Sequence, residues 1–321
     1  MRYRIPHYLN EFRCIETRCE TPCKEEPRRR KEFEGLREGA LSLSCIEAAK
    51  LILGCKEPIR FLEFEDDEEW EPIEQYDSFL ADTLMLVREE MIKLLQRREI
   101  DIYIRMSRVL YLAQEMQEAW ERSDLSQIES MLETFGNMDD MLEYQKKAEQ
   151  WMPGGNEYCS TMRKLFRSFY KLETVKEDWP EFVKRAEFTL YVEGQRAYEE
   201  KRQRFHKSIG LKSDSYDTWS CLLEQLMVYE VYGTFCDAVY DGHIVEKIQA
   251  AVVKTLLVQE LCIARWIEQE EQLDFNEVVN IACRMSKELE LSEVNSARFY
   301  KLCEKLPAFG ASQLKGLLTF L

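Results

Sequence analysis

Residues 246–267 read EKIQAAVVKTLLVQELCIARWI and are apolar around most of a helical circumference. A helix of that kind is surrounded by others, so this segment is the expected core of the C-terminal half. It is not a membrane span. Between Ala250 and Ile267 the run carries Lys254, Gln259, Glu260 and Arg265, each costly in hydrocarbon.

Outward from this core helix, helical periodicity continues almost everywhere. Amphipathic patterns cover 76–98, 101–122, 126–150, 156–174, 179–208, 215–240, 243–270, 275–290, 292–305 and 311–320. They are separated by Pro153-Gly154-Gly155, by Gly210 to Asp214 and by Asp241-Gly242, the last a turn between helices expected to pack antiparallel. Two places have the form of a capping box: Ser44-Cys45-Ile46-Glu47, opening a short helix that stops at Gly54, and Asp274 with Glu277. Pro58 to Phe64 is the only stretch expected to be extended, and it is too brief to support a sheet by itself. No repeat of solenoid period is present. The predicted fold class is all-α: an irregular multi-helix globular domain of about ten helices behind a short cysteine-bearing N-terminal segment. Three regions are expected: 1–57, the cysteine-bearing segment and first helix; 58–75, an acidic connector; and 76–321, the helical domain.

Composition narrows the function. With 321 residues and 45% apolar content the chain can bury a sizeable core. Its net charge of −16 argues against nucleic acid as a partner. The opening Met1-Arg2-Tyr3-Arg4 has no apolar signal-peptide core, so a cytoplasmic protein with no membrane partner is expected. Eleven cysteines, an odd number, agree with a reducing compartment. The run Glu63 to Glu74 holds eight acids. A solvated loop explains it better than a cation site, because the ligand spacing and glycine of a calcium loop are missing. Arg28-Arg29-Arg30-Lys31, flanked by Glu25, Glu26, Glu32 and Glu34, reads as a solvent-exposed connector rather than a phosphate or acidic-partner site.

Three histidines, His7, His206 and His243, leave little room for histidine-based catalysis. His206 and His243 read as surface or capping residues. No glycine-rich strand-to-helix loop supports a nucleotide cradle or a dinucleotide fold. The candidate site is instead at the start of the chain, where Cys14, Cys19 and Cys23 fall within ten residues. Closely spaced thiols in a reducing compartment favour a metal or cluster over disulfides, and Cys45 is the next thiol available as a fourth ligand. Cys55 and the scattered Cys159, Cys221, Cys236, Cys262, Cys283 and Cys303 read as inert or buried small hydrophobes. Tyr216, Trp219, Tyr229, Tyr232 and Tyr240 are concentrated around one helix. They would line either a pocket or, as aromatic stripes more commonly do, the core.

Several segments resemble the flagellin lysine N-methylase family. RIPHYLNEFRCIETRCETPC (4–23) is similar to that family's aromatic, basic and cysteine-rich start. PRRRKEFEGLREGALSLSCIEAAKLIL (27–53) resembles its proline-arginine pair and serine-cysteine helix start, and VYEVYGTFCDAVYDGHIVEKIQAAVVKTLLVQELCIARW (228–266) with CRMSKELELSEVN (283–295) resembles its helical end region. Lys24 stands where the family has a further cysteine, and Pro27-Arg28 follows almost at once, so the cysteine region is shortened. Gly233 and Leu291 stand where basic residues are expected.

The resemblance implies transfer of methyl groups from S-adenosylmethionine to lysine ε-amines of flagellin by a protein with a 4Fe-4S cluster. Cys14, Cys19 and Cys23 would then supply three thiolates, with Cys45 a fourth ligand or neighbour, and the open iron would hold the amino and carboxylate groups of the cofactor. Two alternatives stand beside it. One is a non-catalytic helical protein-binding module derived from the family; the other is a structural zinc protein. No catalytic base is identified from the sequence.

Overall fold

The computed structural model describes residues 2–9, 28–65, 75–124, 126–148, 155–210, 218–305 and the positions 314, 315 and 318. Strand β1 (Arg2–Pro6) is followed by β2 (Arg28–Phe33), β3 (Leu36–Leu41), helix α1 (Ile46–Gly54) and β4 (Phe61–Glu65). Then come α2 (Ser78–Leu95), α3 (Ile102–Glu121), α4 (Ser126–Thr134), α5 (Met138–Ala148), α6 (Gly155–Phe169), α7 (Trp179–Tyr191) and α8 (Gln195–Gly210). The chain continues through α9 (Thr218–Thr234), a 3-10 turn at Phe235–Asp237, α10 (Ala238–Asp241), α11 (Ile244–Glu268), α12 (Phe275–Glu290) and α13 (Glu293–Lys305). The fold is predominantly α-helical, as the periodicity predicts.

Helix α11 is the expected central helix. It is buried without a break from Lys247 to Ala264, and α3, α7, α9, α12 and α13 pack around it. The polar residues that interrupt its apolar run each find a partner, as burial favours, although Gln259 Nε2 is buried without one. Lys254 donates to Glu230 on α9 at 2.8 Å. Gln259 accepts from the Tyr103 hydroxyl on α3. Glu260 accepts from Tyr158 on α6 at 2.8 Å, Tyr191 on α7 at 2.7 Å and Tyr198 on α8 at 2.7 Å.

Two long helices predicted from the periodicity are each broken once. The 126–150 pattern divides near Gly136 at φ 73°, and the 179–208 pattern at Gly194 at φ 87°. Both backbones are left-handed, a region glycine enters without steric cost. The amphipathic stripe continues across each break, which hides it from a periodicity reading. Asp274 caps α12 as expected, its Oδ1 accepting from the Glu277 amide at 2.9 Å. The other capping box does not form. Cys45 occupies the N-cap of α1 without a side-chain capping bond, and the Ser44 hydroxyl lies 2.7 Å from that of Ser42 instead.

The N-terminal strands are the main correction to the sequence reading. The sheet has the order β2-β3-β1-β4. β1 runs parallel to β3, with Arg4 opposite Glu38, and antiparallel to β4, with Pro6 opposite Phe61. Thus 58–64 does not hold the only extended residues, and Arg28 to Lys31, expected as a connector, belongs to edge strand β2. β2 and β3 form a local hairpin across Gly35, but the pairing that completes the sheet joins residues 2–6 to 61–65, and no single window of sequence displays that. The charged edge strand protects the sheet from pairing with other chains.

A buried ion pair fastens this sheet to the helices. Arg88 of α2 donates from both terminal nitrogens to the two oxygens of Glu38 on β3, one bond measuring 2.7 Å. Arg88 also donates to the Tyr232 carbonyl at 3.3 Å and lies 4.9 Å from the centre of the Tyr232 ring. The Tyr232 hydroxyl donates to the carbonyls of Arg4 and Gly39, both at 3.3 Å, while its ring stacks on Phe61 at 4.6 Å. No helix among the described residues is long and apolar enough to cross a membrane. Replacing Arg88 by Met should destabilise the protein by about 3 kcal/mol or more in urea unfolding, because it strands a buried carboxylate. Adding Glu38→Gln should recover part of that loss; equal stability of parent and Arg88→Met would show that the pair does not anchor the sheet.

Candidate functional site

Two depressions meet at the C-terminal end of α1. Gly54 ends this helix, and Cys55 follows in extended conformation at φ −68° and ψ 106°. The Cys55 thiol donates to the Glu57 carbonyl at 3.3 Å, and its sulfur lies 3.6 Å from His7 Nε2. His7 comes from the end of β1, where its Nδ1 accepts the Arg60 amide at 3.1 Å. An Nδ1 used as an acceptor assigns the ring proton to Nε2, so His7 faces Cys55 as a donor and not as a base.

His7, Tyr8, Lys50, Cys55, Lys56 and Arg60 line a crevice of about 350 Å³. Three of them are cations, Glu57 lines the same crevice and pairs with Arg60 at 3.4 Å, and burial raises the pKa of the Tyr8 hydroxyl well above its usual value. The 55–57 turn is held rigidly from the helical body. Gln225 of α9 donates to the Cys55 carbonyl at 2.9 Å, and Arg98 to the Lys56 carbonyl at 2.5 Å. Arg98 and Arg105 both bind the fully buried Glu224, at 2.9 and 3.0 Å.

On the other side of Gly54 lies a larger cavity of about 520 Å³. Trp219 and Leu222 of α9, Trp266 of α11 and Phe275 of α12 form apolar walls, and Glu271 and Asp274 supply its ionisable lining groups. Glu270 and Glu271 are left-handed at φ 55° and 65°, unusual for residues with a side chain. The Glu271 amide closes the end of α11 by donating to the Trp266 carbonyl at 2.8 Å. The cavity and the crevice share a wall. A side-chain carbon at Gly54 would come within 3.4 Å of the Phe275 ring.

The predicted site residues are only partly within the described chain. Cys14, Cys19 and Cys23 lie outside the described residues. Cys45 is 2% exposed at the start of α1, and Cys283 donates to the carbonyl of its neighbour Ser44 at 3.1 Å. Among the described residues no three His, Cys, Asp or Glu side chains converge on a metal-sized site. The remaining cysteines behave largely as expected: burial pushes Cys159 up to about 12, Cys236 to about 11 and Cys303 to about 12, which leaves them as protonated thiols.

The aromatic residues separate. Trp219 lines the cavity, Tyr229 donates to Glu290 at 3.4 Å, Tyr232 buttresses the sheet, and Tyr240 meets Tyr76 edge to face at 5.9 Å. Tyr216 lies outside the described residues. The sequence reading missed His7, Cys55, Trp266 and Glu271. None has a local signature, and His7 and Cys55 stand 48 residues apart.

Glu260 and its three tyrosines form a closed core cluster and not an open site. Burial raises the Glu260 pKa, with the tyrosine hydrogen bonds opposing it. His206 borders this region and is not the surface residue expected. It meets Tyr103 edge to face at 6.5 Å, and its Nε2 is buried without a hydrogen-bond partner.

Residues 88–317 match the model of the FliB lysine N-methylase C-terminal domain. No curated protein and no solved structure matches the chain.

Burial, and secondarily Arg202, lowers the His206 pKa from 6.5 to about 4. The unfolded chain therefore binds this proton more readily between these values, and stability falls as pH drops through that window. The contribution amounts to about 3 kcal/mol at pH 4. Urea unfolding across the window should show the loss in the parent and a flatter profile in His206→Phe; parallel profiles would refute the assignment.

Proposed function

The chain belongs to the FliB lysine N-methylase family, and from that premise we propose that it methylates lysine ε-amines of flagellin using S-adenosylmethionine and a 4Fe-4S cluster. The observation that carries this reading is the family match, which runs from Arg88 in α2 through α13 and so takes in both helical anchors of the sheet, Arg88 and Tyr232. The chemistry balances simply. The ε-nitrogen lone pair attacks the methyl carbon of the sulfonium, the C–N bond forms as the C–S bond breaks, S-adenosylhomocysteine leaves, and the nitrogen sheds a proton.

A cluster with one open iron needs three thiolates converging on it. The described residues do not furnish such a set, because Cys45 is enclosed in core packing at the start of α1. The ligands in this proposal are therefore Cys14, Cys19 and Cys23, which follow closely on β1 in sequence. The crevice at the end of the same strand sets Lys50, Lys56 and Arg60 against Glu57, and the excess of positive charge suits an anionic neighbour such as a thiolate-ligated cluster.

Anoxically purified protein should contain iron and sulfide and should transfer methyl groups from S-adenosylmethionine to flagellin. Cys14→Ser/Cys19→Ser/Cys23→Ser should lose the metal, the visible absorption and the activity while remaining folded. Flagellin binding without turnover would instead identify a binding module, favoured by the shortened cysteine region. Zinc in place of iron, with unfolding on chelation, would identify a structural metal site.

A further inference from the structure

We propose that the cavity walled by Trp219 and Trp266 binds the alkylammonium side chain of a protein substrate. This inference rests on the methylase reading and assigns its substrate site. The cavity, at about 520 Å³, has room for a lysine side chain. Its walls suit a hydrocarbon stem: Trp219, Trp266, Leu222 and Phe275 present aromatic and aliphatic surface, and among the described residues no basic side chain lines the space. Its ionisable lining groups, Glu271 and Asp274, are both carboxylates. A cation gains from an indole face as well as from a carboxylate, and here the buried indoles form the floor while the carboxylates stand at the solvent-exposed mouth.

The two acids have distinct settings. Glu271 is paired with Arg204 at 2.6 Å, which fixes its position at the rim. Asp274 uses Oδ1 to cap α12 at 2.9 Å, and its second oxygen remains for a ligand. The site is also well placed. Phe275 separates it from Gly54 and the His7–Cys55 crevice, so an amine held there lies one side chain's width from the N-terminal crevice.

Isothermal titration of the full chain with Nα-acetyl-lysine methylamide and with its norleucine counterpart, which keeps the stem and lacks the amine, tests the assignment. The lysine amide should bind about tenfold tighter or better. Glu271→Gln/Asp274→Asn should abolish that preference; asparagine retains the N-cap of α12, and a thermal melt checks the fold. Equal binding of the two amides, no binding of the lysine amide, or an unchanged preference in the double variant would overturn the proposal. Displacement of the lysine amide by S-adenosylhomocysteine would also overturn it, identifying a cofactor cavity. Selective binding without methyl transfer to flagellin leaves the cavity assignment standing and sinks the methylase reading. Methyl transfer with an unchanged KM for flagellin in the double variant does the reverse.

Discussion

A helix enclosed on every side is under pressure to pair its polar groups, because a buried donor or acceptor without a partner forfeits about 1–3 kcal/mol, a cost that α11 carries at Gln249 Oε1 and Gln259 Nε2. Helix α11 is under that constraint along most of its length. Lys254 requires Glu230 of α9, Gln259 requires Tyr103 of α3, and Glu260 takes one tyrosine from each of α6, α7 and α8. These demands set the rotation of five surrounding helices about the central one. The large cavity follows from that arrangement, since its walls come from the ends of α8, α9, α11 and α12.

The N-terminal region shares one apolar core with this body, and charge and hydrogen bonds add fixed anchors to it. Arg88 and Tyr232 hold the sheet, while Arg98 and Gln225 hold the 55–57 turn. Buried ion pairs are weak contributors to net stability, yet removing one partner is costly, so such anchors specify position. The cysteine-bearing stretch therefore departs from Leu9, buried in the core, and returns into β2, whose backbone is registered against β3.

The helical body was legible because its apolar positions repeat with the period of a helix, most clearly in residues 246–267. What escaped were features that depend on distant residues. The sheet unites segments about 60 positions apart, and its strands, at five or six residues each, are too short and too charged to stand out. Gly136 and Gly194 break helices whose amphipathic stripes run on unbroken. His206 looked exposed among charged neighbours, although one turn of rotation brings its ring against Tyr103 and Phe205. At the site, Trp219 and Asp274 were noticed for other reasons, as a core aromatic and as a cap. Their meeting with Trp266 and Glu271 requires the tertiary fold.

The tyrosine cluster at Glu260 also bears on how this chain can diverge. One carboxylate serves three hydroxyls from three helices, so the four positions form a single unit of inheritance. Losing Glu260 alone takes the shared acceptor from three buried hydroxyls; losing a tyrosine alone leaves part of a buried carboxylate exposed to apolar packing. Effects at such coupled positions do not add. An apolar version of the cluster is physically acceptable, but the intermediate sequences between the two are not, and the route from one to the other is a concerted exchange of all four residues.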